Sequence, residues 1–144
     1  YYNRNFSAYL QTIEQTDHLL SAIYAQLQAQ QEPFSLLYFA DHGLMTKDRG
    51  SYSATLTHGD THPNKACYRV PFALINSDDT EHKQLKVNKS AFNFLSGYAH
   101  WLGIRERSLD SHYDFLSPTP DTIQVFDQYK NVPFADLAED EVIK

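Results

Sequence analysis

The sequence predicts an α/β fold, a mostly parallel sheet flanked by helices, and three observations carry that reading. A long segment of helical periodicity runs directly into a short segment that is apolar at nearly every position. A second apolar, strand-like segment follows after a long polar loop, and a second helical face ends at a glycine. Helix followed by continuously apolar strand is the pattern of a βαβ-type layout, in which the strand is covered on both faces.

In chain order, Phe6, Tyr9, Leu10, Ile13, Leu20, Ile23, Tyr24 and Leu27 recur at helical spacing with good helix formers between them, predicting one long amphipathic helix up to the Gln-rich stretch near Gln30. Pro33 ends the connection, and Phe34 to Ala40 reads as a strand. From Leu44 to Lys65 the composition turns to Gly, Ser, Thr, Asp and His without periodicity, which predicts a long loop. Tyr68 to Ile75 is strand-like again, with Pro71 pushing it toward an edge or a bulge because proline donates no ladder bond. Asn88 or Ser90 is placed to cap a second helix whose Ala91, Phe94, Leu95, Tyr98, Trp101 and Leu102 share a face, and Gly103 is its stop. Pro118 and Pro120 bracket a loop. Thr122 to Phe126 reads as a short strand that pairs with Val132 to Phe134 through a turn at Gln128 to Asn131.

With 144 residues and a formal charge of -6, the chain is of single-domain size, and its acidic balance argues against nucleic acid or an anionic surface bound by charge alone. One cysteine, Cys67, excludes an internal disulfide. No segment is apolar over the length that crosses a bilayer. The chain opens on Tyr1-Tyr2-Asn3 without a methionine, from which we expect a processed product or an excised piece.

Asp41-His42-Gly43 closes the first apolar strand, so a carboxylate and an imidazole sit side by side where the strand runs out into a loop. Ligands collect beyond the carboxyl ends of strands in α/β sheets, and this donor pair suits zinc or another borderline divalent ion. Taken alone, the pair reads more simply as a capped turn with a satisfied histidine; only as part of a family resemblance that includes the later His58-Gly59 and Val70-Pro71 does the reading shift to a metal. Asp60 and His62 lie in the same loop and compete with His58 for its place. His62, with Pro63, Asn64 and Lys65, reads either as a contact to a substrate head group or, more simply, as a solvated loop rim.

Strand-Asp41-His42-Gly43, a loop, His58-Gly59, and then Val70-Pro71-Phe72 resembles the alkaline phosphatase and sulfatase superfamily. Within it, the helix carrying Tyr9, Thr12-Ile13, Thr16-Asp17 and Leu19-Leu20 resembles that of the bacterial membrane-anchored phosphoethanolamine transferases. The resemblance covers roughly Tyr1 to Ile104, including Trp101-Leu102-Gly103-Ile104. It implies a mixed sheet between helix layers and a Thr, Ser or modified Cys nucleophile that attacks phosphorus or sulfur with the help of a divalent metal. It further implies that Asp41 and His42 are zinc ligands and that His58 lies near the transferred group, binding a second metal or protonating the leaving oxygen. Residues 1–144 are then expected to be the C-terminal portion of a sulfatase-like catalytic domain, with the nucleophile segment and a membrane anchor upstream.

The sequence departs from the transferases at Leu44, where a Glu usually follows Asp-His-Gly, and at Ala66-Cys67-Tyr68-Arg69, which replaces the usual Gln before Val-Pro. The leading expectation is a part of an enzyme of the bacterial inner membrane that works in the periplasm or outside the cell. It transfers phosphoethanolamine from a phospholipid to a lipid or glycan, or hydrolyses a sulfate or phosphate ester. A second reading keeps the fold but not the catalysis, leaving a domain that binds an envelope glycan, a lipid head group or a protein. In a third, the Asp-His-Gly is coincidental in a small binding protein. If the rest of the sheet lies elsewhere, exposed strand edges favour self-association.

Overall fold

The computed structural model describes residues 4–47, 55–58, 62–110 and 112–140. The chain forms two compact units, one of Tyr1–Glu81 with Leu137–Lys144 and one of His82–Asp136.

The first unit opens with helix α1, Arg4–Ala29. Its half-covered residues are Phe6, Ser7, Tyr9, Thr16, Leu20, Tyr24 and Leu27, an apolar stripe narrower than the spacing predicts. Leu10, Ile13 and Leu19 are 59%, 49% and 60% exposed. The Thr12 and Thr16 hydroxyls donate back to the carbonyls of Tyr9 and Thr12, so they spend no bonds on other elements. The helix stops where Gln31 takes a φ of 56°, and Tyr24 packs edge-on to Phe34 beyond that turn at 5.6 Å.

Strand β1, Ser35–Phe39, follows and pairs antiparallel with β4, Phe72–Asn76, in the register Ser35↔Asn76 through Phe39↔Phe72. Side chains lock that register at one end, where the Ser35 hydroxyl donates to Asn76 Oδ1 at 2.7 Å and the Phe34 amide donates to the Ser77 hydroxyl at 3.2 Å. Pro71 stands just before β4, where its missing N–H costs no ladder bond.

This corrects the expectation of a mostly parallel sheet: among the described residues the strands form three two-stranded antiparallel sheets. A parallel pair needs a crossover, usually a helix laid on the sheet. The chain between β1 and β4 instead makes a hairpin and a 3₁₀ turn and returns in the opposite direction. The apolar run was misleading on burial as well, since Ser35 and Phe39 are exposed and Leu36 to Tyr38 are only half-covered.

The predicted loop from Leu44 to Lys65 also contains unpredicted structure. Strands β2, Met45–Lys47, and β3, Thr55–Thr57, pair antiparallel with Met45 opposite Thr57, and Lys65–Cys67 forms a 3₁₀ turn. Asn64, only 8% exposed, caps that turn by accepting from the Ala66 amide at 2.9 Å.

In the second unit Ser90 caps a 3₁₀ turn, Ala91–Asn93, that leads into α2, Phe94–Trp101. The helix ends as predicted: Gly103 has a φ of 70°, its amide donates to the His100 carbonyl, and the Ile104 amide donates to the Ala99 carbonyl. Those two bonds form a Schellman cap. Gly97 is buried because the Phe115 ring occupies the space of its absent side chain. Strands β5, Gln124–Phe126, and β6, Asn131–Pro133, form the predicted hairpin, and the Asp127 carboxylate accepts from the Tyr129 and Lys130 amides in its turn. Val125, Phe134 and Ala99 are the buried apolar residues of this unit.

Candidate functional site

The pairing of Met45 with Thr57 is what assembles the candidate site. The hairpin sends the chain out after residue 44 and returns it at residue 58, so two histidines sixteen positions apart become neighbours. The His42 and His58 rings stack with centroids 3.7 Å apart and planes 17° from parallel. Asp41 lies beside His42, with Oδ2 3.8 Å from His42 Nε2. The structure therefore brings His58 to His42, which has Asp41 as its chain neighbour. His62 is exposed, two residues before the buried Asn64, while Gly59 and Asp60 lie outside the described residues.

Local bonds orient the first two donors. Asp41 Oδ1 accepts from the His42 amide at 3.0 Å, an Asx-type contact that leaves Oδ2 for other partners. His42 Nδ1 lies 3.1 Å from the Gly43 carbonyl. A carbonyl only accepts, so this bond puts a proton on Nδ1 and leaves Nε2 as the nitrogen a metal could take. A tetrahedral ion about 2 Å from both donors would hold them about 3.3 Å apart. The observed 3.8 Å is close to that, and the Asp41 side chain is 88% exposed. The donor types and their spacing suit a divalent ion, but they supply two ligands; among the described residues no group of three or more His, Cys, Asp or Glu is placed to hold a metal.

The turn that carries these donors is itself pinned. The Gly43 amide donates to the Cys67 carbonyl at 2.8 Å, and a side chain at residue 43 would overlap the Ala66 carbonyl oxygen. Glycine is thus required here for close approach to the 3₁₀ turn. That turn is held in its place by residues the sequence reading passed over. The Lys65 amide donates to the Ala138 carbonyl at 2.9 Å, and Lys65 Nζ and Arg69 Nη1 reach Glu139 at 2.9 and 3.3 Å. The Lys65 hydrogen bond is the main reason the Glu139 carboxyl sits below its ordinary range. Asp140 Oδ2 accepts from the Thr46 amide at 3.2 Å. The one signal in the sequence was a Lys-x-x-x-Arg pair with Glu139 as a partner, and a separation of seventy residues hid it.

A second polar cluster sits in the second unit. Asp121 accepts from the Ser90 amide at 2.7 Å, Tyr113 at 2.6 Å and Asn93 at 3.1 Å, with Lys89 at 3.9 Å. Burial raises the Asp121 carboxyl, but the Ser90, Tyr113 and Asn93 bonds outweigh it and hold it below the usual range. Burial, then the Asp121 carboxylate, pushes the Tyr113 hydroxyl well above its ordinary value. Every group in the cluster has a partner, so it is a structural knot tying residues 88–93 to residues 113–121.

The sequence profile of the family described as Sulfatase matches residues 2–104, the stretch that contains all of the first site apart from its C-terminal supports. The chain belongs to the sulfatase family. A relative in that family, the phosphoethanolamine transferase OpgE of Escherichia coli (strain K12), is 40% identical over 115 residues, which is 80% of this chain and 21% of that protein. This sulfatase-family chain therefore spans about a fifth of the length of the curated relative it matches. No solved structure matches it. No helix among its described residues is long and apolar enough to cross a membrane.

Proposed function

We propose that these residues are the C-terminal part of the catalytic domain of a metal-dependent phosphoethanolamine transferase of the sulfatase family, with the nucleophile and a membrane anchor on other segments. The observation that carries this reading is the hairpin that stacks His58 on His42 beside Asp41, within the stretch shared with the family and with the relative named phosphoethanolamine transferase. On this reading Asp41 Oδ2 and His42 Nε2 hold zinc or a similar divalent ion, and the remaining ligands come from outside the described residues. The ion lowers the pKa of a nucleophile and neutralises charge on a transferred phosphoryl group. The Gly43 carbonyl keeps a His42 proton on Nδ1, and on this reading His58 either joins a second ion or gives a proton to the leaving oxygen. His62 is exposed and is available to a head group.

The larger fold follows from the same reading. Strands β1 and β4 then belong to a wider mixed sheet whose parallel members lie on other segments, which would also cover their exposed Phe39, Phe72 and Ile75. The donor is a phospholipid and the acceptor a lipid or glycan of the bacterial envelope, reached in the periplasm; the related chemistry is hydrolysis of a sulfate or phosphate ester. Leu44 favours a second reading, since the half-covered side chain after Gly43 has no donor atom: a sulfatase-like domain that binds an envelope ligand without turning it over.

Zinc titration by calorimetry with elemental analysis, on the full-length protein and its Asp41→Ala/His42→Ala version, tests the proposal. Stoichiometric zinc that the double variant loses is the expected result. Zinc in neither reduces Asp-His-Gly to a structural turn, and zinc without any transfer or hydrolysis selects the binding-domain reading.

A further inference from the structure

We propose that Glu139 and Asp140 are positioning residues for the Asp41-His42 site, and that the segment Ala138–Asp140 acts as a clasp across the two chain segments that flank it. The inference rests on the metal-ligand reading of Asp41 and His42. Its basis is where four bonds from three consecutive residues land. On one side, Asp140 Oδ2 accepts from the Thr46 amide, three residues after Gly43. On the other, the Ala138 carbonyl and the Glu139 carboxylate take the amide and the ammonium of Lys65, and Glu139 also takes Arg69. Lys65 begins the 3₁₀ turn whose Cys67 carbonyl receives the Gly43 amide and whose Ala66 carbonyl is packed against Gly43.

The clasp therefore fixes Gly43 from both directions, through β2 ahead of it and through the 3₁₀ turn beneath it. Asp41 and His42 have few restraints of their own. The Asp41 side chain is largely exposed, and the described bonds of the pair are to His42 and Gly43 themselves. Their geometry is thus set by the backbone that carries them. Groups that orient ligands without touching the ion typically change affinity by about 10- to 100-fold when removed.

The test is a cobalt titration of the full-length protein followed by visible absorption, which reports both affinity and ligand geometry, with circular dichroism and thermal unfolding recorded on each variant. Glu139→Ala/Asp140→Ala is expected to bind cobalt about 10- to 100-fold more weakly and with altered bands. Asp140→Asn keeps an oxygen for the Thr46 amide and is expected to bind as wild type. Wild-type cobalt binding in the double variant, with cobalt lost in Asp41→Ala, overturns the clasp while the ligand reading stands. Wild-type binding in Asp41→Ala as well removes the ligand reading and the clasp with it. If the double variant does not fold, the single variants decide: Asp140→Ala weakened and Asp140→Asn normal supports the clasp, and the two behaving alike overturns it.

Discussion

Gly43→Ala strikes the point where the donor pair meets its support. The new methyl would fall on the Ala66 carbonyl oxygen, a backbone atom that cannot rotate aside, so the turn and the 3₁₀ segment must separate. Separation breaks the 2.8 Å bond from the Gly43 amide to the Cys67 carbonyl. Depriving a carbonyl of its donor in a residue only 3% exposed costs about 1–3 kcal/mol. That is enough to shift the turn substantially away from its native geometry. Gly103→Ala is the control. Nothing lies within 4 Å of a side chain there, so its cost is the strain of a φ of 70° alone, about 1 kcal/mol. In the full-length protein, zinc titration should show roughly 10- to 100-fold weaker binding for Gly43→Ala and none of that loss for Gly103→Ala. Hydrogen exchange should be faster at Gly43 and Thr46 only in the first. Wild-type zinc affinity and slow exchange in Gly43→Ala would refute the argument, as would equal losses in both variants.

Two further outcomes concern the second unit. Asp121→Ala leaves the Ser90 amide and the Tyr113 hydroxyl without the acceptor they share, at a cost of about 3 kcal/mol; hydrogen exchange at Ser90 should speed up roughly a hundredfold, and an unchanged rate would count against the knot. The same pair sets a pH dependence of opposite sign at the two extremes. Because the folded Asp121 carboxyl lies below its unfolded value, its contribution is present above the ordinary carboxylate range and fades as pH falls through the lowered value. Because the folded Tyr113 hydroxyl lies above its unfolded value, its contribution is complete below about pH 10 and fades as pH rises beyond it. Urea midpoints of wild type and Tyr113→Phe should keep a constant gap from about pH 6 to about pH 9 and converge at higher pH; a gap that widens there contradicts the assignment.

What the sequence disclosed was local. Gly103 as a left-handed stop and the turn after Phe126 are each decided by the conformation or the hydrogen bonding of a few adjacent residues, and the structure has both; Ser90 caps as well, but it caps the 3₁₀ turn ahead of α2, whose own first residue is preceded by Asn93 with no side-chain cap. Strand direction is a different quantity. The apolarity of Phe34 to Ala40 carries no information on which way its neighbour runs, and β4 runs the other way. The hairpin of β2 and β3 was invisible for a related reason. Its strands are three residues each, too short for alternation to register above the polar loop around them. The family resemblance named Asp41, His42 and His58 without giving a route by which they meet, and that route is the hairpin. Ala138–Asp140 carried no motif at all, because its importance comes from backbone and charge contacts made across the whole unit.

The site's weak burial bears on what these residues contribute. Two donors, one largely exposed, do not close a four-ligand shell, and an exposed carboxylate-imidazole pair at 3.8 Å gains little by itself. On the proposed reading, a close backbone approach at Gly43, a buried cap at Asn64 and the charged contacts of Glu139 together hold that pair still. Such restraint is of little use to a loop that only turns, since a turn tolerates slack. It is useful to a half-site, where ligands already fixed in direction spare the incoming half the entropy of ordering them. On the proposed reading the energetic role of this segment is presentation: it fixes the directions of Asp41 and His42, and the affinity appears when the remaining ligands meet them.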